Sequence, residues 1–277
     1  MDASSTSSNP RALDDALVDL RSRGWSLQKV SHIKQGKTND SFMVTNGKQW
    51  FVLRVNHRAS ETLGIDRQLE QRILQCLPNG IGLPLEVLTE HYMLTPFVRA
   101  RSQPLSNAEL GPFMALLHGI HEIDLGDDNI DYLGRLLALL PVAYHPQWGP
   151  TLTRFREHLQ RVEEMFGYHR ALCHHDLVPE NILWSVHEAD ATPWIIDWEY
   201  AAMGDLFFDL ACIVESHNIP ERRHAVVLQS YGLNLALVKK LRLYRAIYVA
   251  LAAAWNMRCG VSSESQMDYI EHLLSSI

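Results

Sequence analysis

The chain reads as an α+β protein in two lobes: a small antiparallel sheet carrying one main helix, then a larger, mostly helical lobe. Three features carry that expectation. Between Leu27 and Thr95, short runs rich in β-branched and aromatic residues alternate apolar with polar positions and are punctuated by turn residues. After Pro96 the apolar residues recur at helical spacing instead. Within that helical half, two brief apolar strands carry a cluster of His, Asp and Asn, in Leu172–Trp184 and Ile195–Glu199.

The elements follow in order. A helix is expected over Pro10–Arg23, with Leu13, Leu17 and Leu20 on one face and Gly24 as its stop. Strands are expected over Leu27–Ile33, Ser41–Thr45 and Gln49–Val55, the last two joined by the hairpin signal Asn46-Gly47. A helix from about Glu61 to Leu77 ends at Pro78-Asn79-Gly80, and strands near Pro84–Leu88 and Tyr92–Thr95 complete the sheet. Beyond it, Ser106–Glu122 reads as a helix opened by a Ser106/Glu109 capping box, with Gly111-Pro112 as a candidate kink. Thr151–Phe166 is a further amphipathic helix, and everything from Asp205 to Ile277 reads as helices. The expected divisions are a disordered tail over 1–10, a first lobe over 11–97 and a helical lobe over 98–277.

Composition narrows the function classes. With 277 residues and 47% hydrophobic content there is ample material for a core. A net charge of -7 lacks the basic excess of a nucleic-acid binder. Cys76, Cys173, Cys212 and Cys259 lie far apart among apolar neighbours, so buried free thiols are expected rather than disulfides or zinc ligands. The Ser-rich start, Met1–Asn9, has no apolar stretch like that of a signal peptide, and the run Ala246–Ala254 is too short for a membrane span. A cytoplasmic protein without nucleic-acid or membrane partners is the expectation.

The polar cluster points to phosphoryl transfer. His174-His175-Asp176 is followed by Asn181, five residues after the Asp, and by Asp197 on the next strand. Transfer of a phosphoryl group passes through a loose transition state, so the protein mainly positions groups and stabilises charge. Asp176 is the candidate for orienting and deprotonating the attacking hydroxyl, with His174 bracing its loop. Asn181 and Asp197 supply oxygen ligands of the kind magnesium prefers. The rival reading takes His175-Asp176 as the pair of a metal-dependent phosphohydrolase. That pair must sit on a helix, which Pro179 makes improbable.

The nucleotide side is expected in the first lobe. The turn Gln35–Asp40 offers Gly36, Lys37, Thr38 and Asn39 for phosphate contacts, since glycine lets backbone amides approach closely. Alternation puts Trp50, Val52 and Arg54 on one strand face, Val52 toward an adenine pocket and Arg54 as phosphate clamp. Helical spacing puts Glu70 with Ile73, Leu74 and Leu77, so Glu70 points inward and needs a cation. Arg54 is the expected partner of Glu70, and Asp66 the alternative acid on that helix. Leu183 and Ile196 are candidates for the floor of the pocket. Asp209, in apolar surroundings, is expected to stabilise the catalytic loop.

Together these segments resemble the aminoglycoside phosphotransferase and choline kinase superfamily, relatives of the protein kinases. The resemblance rests on Cys173-His174-His175-Asp176 with Asn181, on Ile196-Asp197-Trp198-Glu199-Tyr200, and on Asp205 and Asp209-Leu210-Ala211. It implies a bilobal protein-kinase-like fold, with ATP and Mg2+ as cofactors. Many members carry Gly where His175 stands. Arg54 is similar to choline kinases, and Gly64-Ile65-Asp66-Arg67 with Glu70 looks closest to bacterial thiamine-kinase-like and choline-kinase-like members.

A small cationic alcohol of the choline or thiamine type is the leading acceptor, because aromatic faces and carboxylates suit permanent positive charge. Glu199, Asp205, Trp255 and Tyr244 are the candidate substrate contacts. An aminoglycoside or amino-sugar kinase is the competitor, although Glu264, Asp268 and Glu271 are the only late acids. A catalytically silent nucleotide-binding protein is the third reading, and it has no need of Asp176, Asn181 and Asp197 together.

Overall fold

The computed structural model describes residues 10–35, 38–57, 64–120, 125–126, 129–186, 193–260 and 264–277. The expected tail lies outside them, apart from Pro10, which opens the first helix. The chain forms two compact units, Met1–Arg101 with Trp184–Glu199, and Ser102–Leu183 with Tyr200–Ile277. The sequence reading gave all of 98–277 to the helical lobe, whereas Trp184–Glu199 groups with the sheet. Ile195 is the reason: its amide donates to the Ile81 carbonyl at 2.7 Å, beside a bridge to Gly82.

The first unit contains α1 (Pro10–Ser22), β1 (Gln28–Gln35), β2 (Asn39–Thr45), β3 (Trp50–Asn56), α2 (Arg67–Cys76), β4 (Val87–Leu88) and β5 (Tyr92–Pro96). β6 (Ala100–Ser102) leads out of it, and β9 (Trp194–Ile195) belongs to it. Five strands form one antiparallel sheet in the order β1-β2-β3-β5-β4. Alternation works as expected: Phe42, Val44, Phe51, Leu53, Val55 and Leu94 are buried together with Leu13, Ala16 and Leu20 of α1. The hairpin between β2 and β3 turns on Asn46, whose side-chain oxygen accepts the Lys48 and Gln49 amides, and on Gly47 at φ +85°. α2 begins later than expected. Residues 58–63 are outside the described residues, and Asp66 is the N-cap, accepting the amides of Gln68 and Leu69 at 2.9 Å each. Asp66 is thereby committed to the helix end rather than to Arg54.

The second unit holds α3 (Asn107–His118), α4 (Tyr132–Leu139), α5 (His145–Phe166), β7 (Arg170–Cys173), the start of β8 (Ile182–Ser185) and β10 (Ala202–Asp205). It ends with α6 (Phe207–Ser216), α7 (His224–Ser230), α8 (Val238–Arg258) and α9 (Glu264–Leu274). The capping box at Ser106 and Glu109 forms as expected. Gly111 has a packing reason: a Cβ there would lie 2.1 Å from the Ser230 carbonyl oxygen of α7. Three expectations need correction. α5 starts at His145 rather than Thr151, α4 was not foreseen, and Asp205 ends a strand instead of opening a helical stretch. That strand, β10, pairs antiparallel with β7 so that Cys173 faces Ala202 and Arg170 faces Asp205. All four cysteines are free, with Cys173 and Cys212 buried but Cys76 exposed. Among the described residues, no helix is long and apolar enough to cross a membrane.

Candidate active site

In the second unit, the loop after β7 is fixed by a buried carboxylate. Asp209, in the first turn of α6, accepts the His174 amide on Oδ2 and the His175 amide on Oδ1, both at 2.8 Å. His118 Nε2 lies 3.2 Å from Oδ2. Burial alone would raise the pKa of Asp209, but the His118 hydrogen bond holds it below the usual carboxylate range. Asp209 thus braces the loop, as expected. The next carbonyl, Leu177, faces His217 Nε2 at 3.0 Å, while His217 Nδ1 accepts the Leu105 amide at 2.9 Å. Both bonds together fix the tautomer, with the proton on Nε2.

On this frame Asp176 is half-buried, and Asn181, in the turn Pro179–Asn181 that leads into β8, orients it. Asn181 Nδ2 donates to both the Asp176 carbonyl and Oδ2, at 2.9 Å each. His174 is fully buried, and its Nδ1 accepts the Asp176 amide at 3.3 Å, a bracing contact. The loop is not helical, which removes the phosphohydrolase reading. His175 adopts φ +66°, a left-handed conformation uncommon for a residue with a bulky side chain.

The first unit holds a cluster of three carboxylates and two arginines. Arg54 of β3 is buried and reaches Glu70 of α2 through Nη2 at 2.6 Å, the pair expected from the two periodicities. Its Nη1 lies 3.4 Å from Asp197 Oδ1. Asp197 follows β9 at φ +67°, a conformation aspartate tolerates better than most residues, and the Trp198 indole donates back to the Ile195 carbonyl at 3.0 Å. Arg67, one turn before Glu70, bridges Glu70 at 2.7 Å and Glu199 at 3.0 Å through Nη1, and donates to the Thr38 carbonyl through Nη2. Burial, then the nearby Asp197 charge, pushes the Glu199 carboxyl up to about 7. Glu70, Asp197 and Glu199 together keep the Arg54 guanidinium protonated against the cost of its burial.

Several expected site residues take other roles. Gly36 and Lys37 lie outside the described residues. The Thr38 hydroxyl donates to Glu199 at 2.8 Å and Asn39 Nδ2 at 3.1 Å, so both side chains meet a carboxylate rather than standing open to phosphate. Glu199 itself is engaged by Thr38, Asn39 and Arg67 and is 6% exposed, which corrects its reading as a substrate contact. Asp205 is corrected likewise: fully buried, it pairs with Lys240 Nζ at 2.6 Å and accepts the His169 and Phe207 amides. Tyr244 is 1% exposed and packs edge-on against Tyr132, so it is core. Trp255 stays half-buried, edge-to-face with Tyr200, whose ring also carries the Arg135 guanidinium at 5.3 Å. Val52 and Ile196 in the first unit and Leu183 in the second are half-buried.

Sequence reasoning missed the roles of Arg67, His118, His217 and Lys240. Only Arg67 left a signal: three residues before Glu70, it shares that acid's face of the helix.

The donor atoms suit a nucleotide and a hard cation. In the first unit Asp197 offers carboxylate oxygen, and its side chain is 28% exposed, a donor that suits magnesium. Arg54 Nε and Arg67 Nε are buried without a hydrogen-bond acceptor.

Comparison with known proteins places the fold. A choline kinase, LicA from Streptococcus pneumoniae, shares the fold at TM-score 0.77 and 16% identity, over 96% of this chain and 100% of that one. An aminoglycoside phosphotransferase, APH(2")-IIia, solved with GDP and kanamycin, aligns at TM-score 0.63 and 19% identity over 95% and 97% of the two chains. The protein LicA homolog of Metamycoplasma hominis is 40% identical over 62 residues, 22% of this chain. That match spans 24% of the relative's own length. The family model described as "Phosphotransferase enzyme family" matches residues 29–244, most of the sequence, and the chain belongs to that family.

Proposed function

We propose that the protein transfers the γ-phosphoryl group of ATP, with magnesium, to a hydroxyl of a small cationic alcohol of the choline or thiamine type. The observation that carries this reading is the Asp176 carboxylate: half-exposed, oriented by Asn181 and set on a loop whose preceding amides are held by Asp209. Asp176 orients the acceptor hydroxyl and takes its proton. Asn181 and Asp197 would hold the magnesium ion, which when bound supplies charge stabilisation on the phosphate oxygens. Arg54, kept in place by Glu70, and Arg67 face the negative charge of the nucleotide, and Val52, Leu183 and Ile196 give apolar surface for its base. The solved GDP complex of an aminoglycoside phosphotransferase supports nucleotide use in this fold. A protein that draws on the ATP pool would work in the cytoplasm, the compartment this reading assigns.

The choline kinase relationship and the half-buried Trp255–Tyr200 pair support a cationic acceptor. An aminoglycoside acceptor needs free carboxylates, and Glu271 is engaged by Arg154 and Thr151. A screen of ATP consumption with choline, ethanolamine, thiamine, aminoglycosides and amino sugars tests the proposal. Turnover with choline or thiamine is expected, and turnover confined to aminoglycosides would overturn the acceptor class. No turnover with any alcohol, alongside intact ATP binding, would favour a silent nucleotide-binding protein.

A further inference from the structure

His175 stands next to Asp176 in a left-handed conformation that an imidazole-bearing residue seldom adopts, and its ring is tied at both ends. Nδ1 lies 3.1 Å from the Tyr200 carbonyl oxygen, and Nε2 lies 3.1 Å from the Tyr132 hydroxyl. A carbonyl only accepts, so Nδ1 carries the proton. Buried and neutral, the ring then offers the Nε2 lone pair, and Tyr132 must donate to it. The Tyr132 oxygen in turn accepts the Asp205 amide at 3.1 Å. Every bond in the chain has one permitted direction: Asp205 amide to Tyr132 hydroxyl, Tyr132 hydroxyl to His175, His175 to Tyr200 carbonyl.

The surroundings are shaped around this chain. Phe208 stacks on Tyr132 at 4.8 Å and meets the His175 ring edge-on at 5.0 Å. A Cβ on Gly204 would lie 2.5 Å from the Tyr132 oxygen and 2.8 Å from His175 Nε2, so the glycine leaves the room both groups occupy. The titratable and charged groups facing the ring are Tyr132 and Arg135 of α4, Asp209 of α6 and His174 beside it. Asp209 holds the backbone amide of His175 while Tyr132 and Tyr200 hold its side chain. The residue before Asp176 is therefore fixed from two directions.

We propose that His175 is a positioning residue: a neutral imidazole locked as the Nδ1–H tautomer between Tyr132 and Tyr200, which fixes the left-handed turn and so aims the Asp176 carboxylate. The inference rests on the phosphotransferase reading of Asp176 for its catalytic meaning, but the tautomer and the aim can be read without any substrate.

Nitrogen-15 spectra of the histidine rings in the full chain test the lock, with His175 assigned by its loss in His175→Asn. The expected pattern is protonated Nδ1 and unprotonated Nε2, unchanged between neutral pH and pH 5. An Nε2–H tautomer, or protonation in that interval, would overturn the lock. The Asp176 side-chain carboxyl carbon-13 signal tests the aim: it should move in Tyr132→Phe, which keeps the ring and removes only the donor. A signal unmoved by that change would overturn the positioning role, whether or not the chain proves to be a kinase. With choline as acceptor, His175→Gly and Tyr132→Phe should each lower kcat about tenfold while KM for ATP stays within about twofold, the mark of a misaimed group. Full kcat in His175→Gly would reject the proposal, whereas inactive wild-type protein with the expected spectra would reject only the kinase reading.

Discussion

The two motif loops solve the same problem with opposite physics. Each places a non-glycine residue at a positive φ, His175 at +66° and Asp197 at +67°, and each presents an acid. In the helical unit, Asp176 is held by an amide, and its loop by backbone hydrogen bonds to Asp209 and His217. In the sheet unit, Asp197 sits in a network of arginines and carboxylates, where every bond depends on charge. The first arrangement is built on oriented amides, while the second is built on opposed charges. In the proposed function that division suits a loop for a neutral hydroxyl and a loop for a charged nucleotide.

The largest effect should come from the amide-held loop. Asp176→Asn keeps the size of the side chain and removes its basicity. Loss of about 10³-fold in kcat is expected, in the range of general-base contributions, with ATP affinity unchanged in titration calorimetry. Retained turnover would take Asp176 out of the mechanism and leave the comparison without its catalytic half.

Next in size is Glu70→Gln, which strikes the charge-based loop. Glu70 accepts Arg54 on one oxygen and Arg67 on the other, with both arginines buried. Removing one member of a buried ion-pair network leaves the others uncompensated, at about 3–5 kcal/mol. Urea unfolding of the variant measures this directly. A change below about 1 kcal/mol would show that the cluster is solvated and not a buried network.

How far each loop could be read from sequence follows the same contrast. The Arg54–Glu70 pair was legible because strand alternation grouped Arg54 with Val52 and helical spacing grouped Glu70 with Ile73. The brace from Asp209 was legible too, since a lone acid in Phe208-Asp209-Leu210 needs donors. The Arg67–Glu199 link was not, because Glu199 lies far along the chain on a segment that sequence order assigned to the other unit. The misreading of Tyr244 has a local cause. α8 is buried on most of its circumference, so aromatic spacing along it cannot separate a ligand-facing ring from a core ring. His175 looked incidental because its role depends on a backbone angle and on Tyr132, which opens a helix that went unforeseen.

Acid should also separate the two loops, with an effect of middle size. Burial drives His175 down to about 3 from its ordinary value, so between those points the unfolded chain binds a proton that the native chain does not. Stability therefore rises with pH through that window and is complete above the ordinary histidine value, at up to about 1.4 kcal/mol per pH unit. From pH 6.5 down to pH 5, His175 should contribute a loss of about 2 kcal/mol. Denaturant unfolding at both pH values, in wild type and His175→Gly, isolates the term. Equal pH slopes in the two proteins would mean that His175 protonates freely in the native state.

Glu199→Gln should give the smallest change, and it sharpens the comparison within the charged cluster itself. Glu199 and Glu70 are both buried and both touch Arg67, so geometry alone suggests equal costs. Their electrostatics differ. Burial and the Asp197 charge lift Glu199 to about 7, so near neutral pH its carboxyl is already half-way to the uncharged state that glutamine imitates. The amide oxygen can still accept the Thr38 hydroxyl, and the loss is confined to the bonds from Asn39 and Arg67. A cost of about 1 kcal/mol is expected, well below that of Glu70→Gln. Equal destabilisation by the two substitutions would mean that Glu199 is fully ionised in the native protein and that the cluster tolerates its negative charge without an added cation.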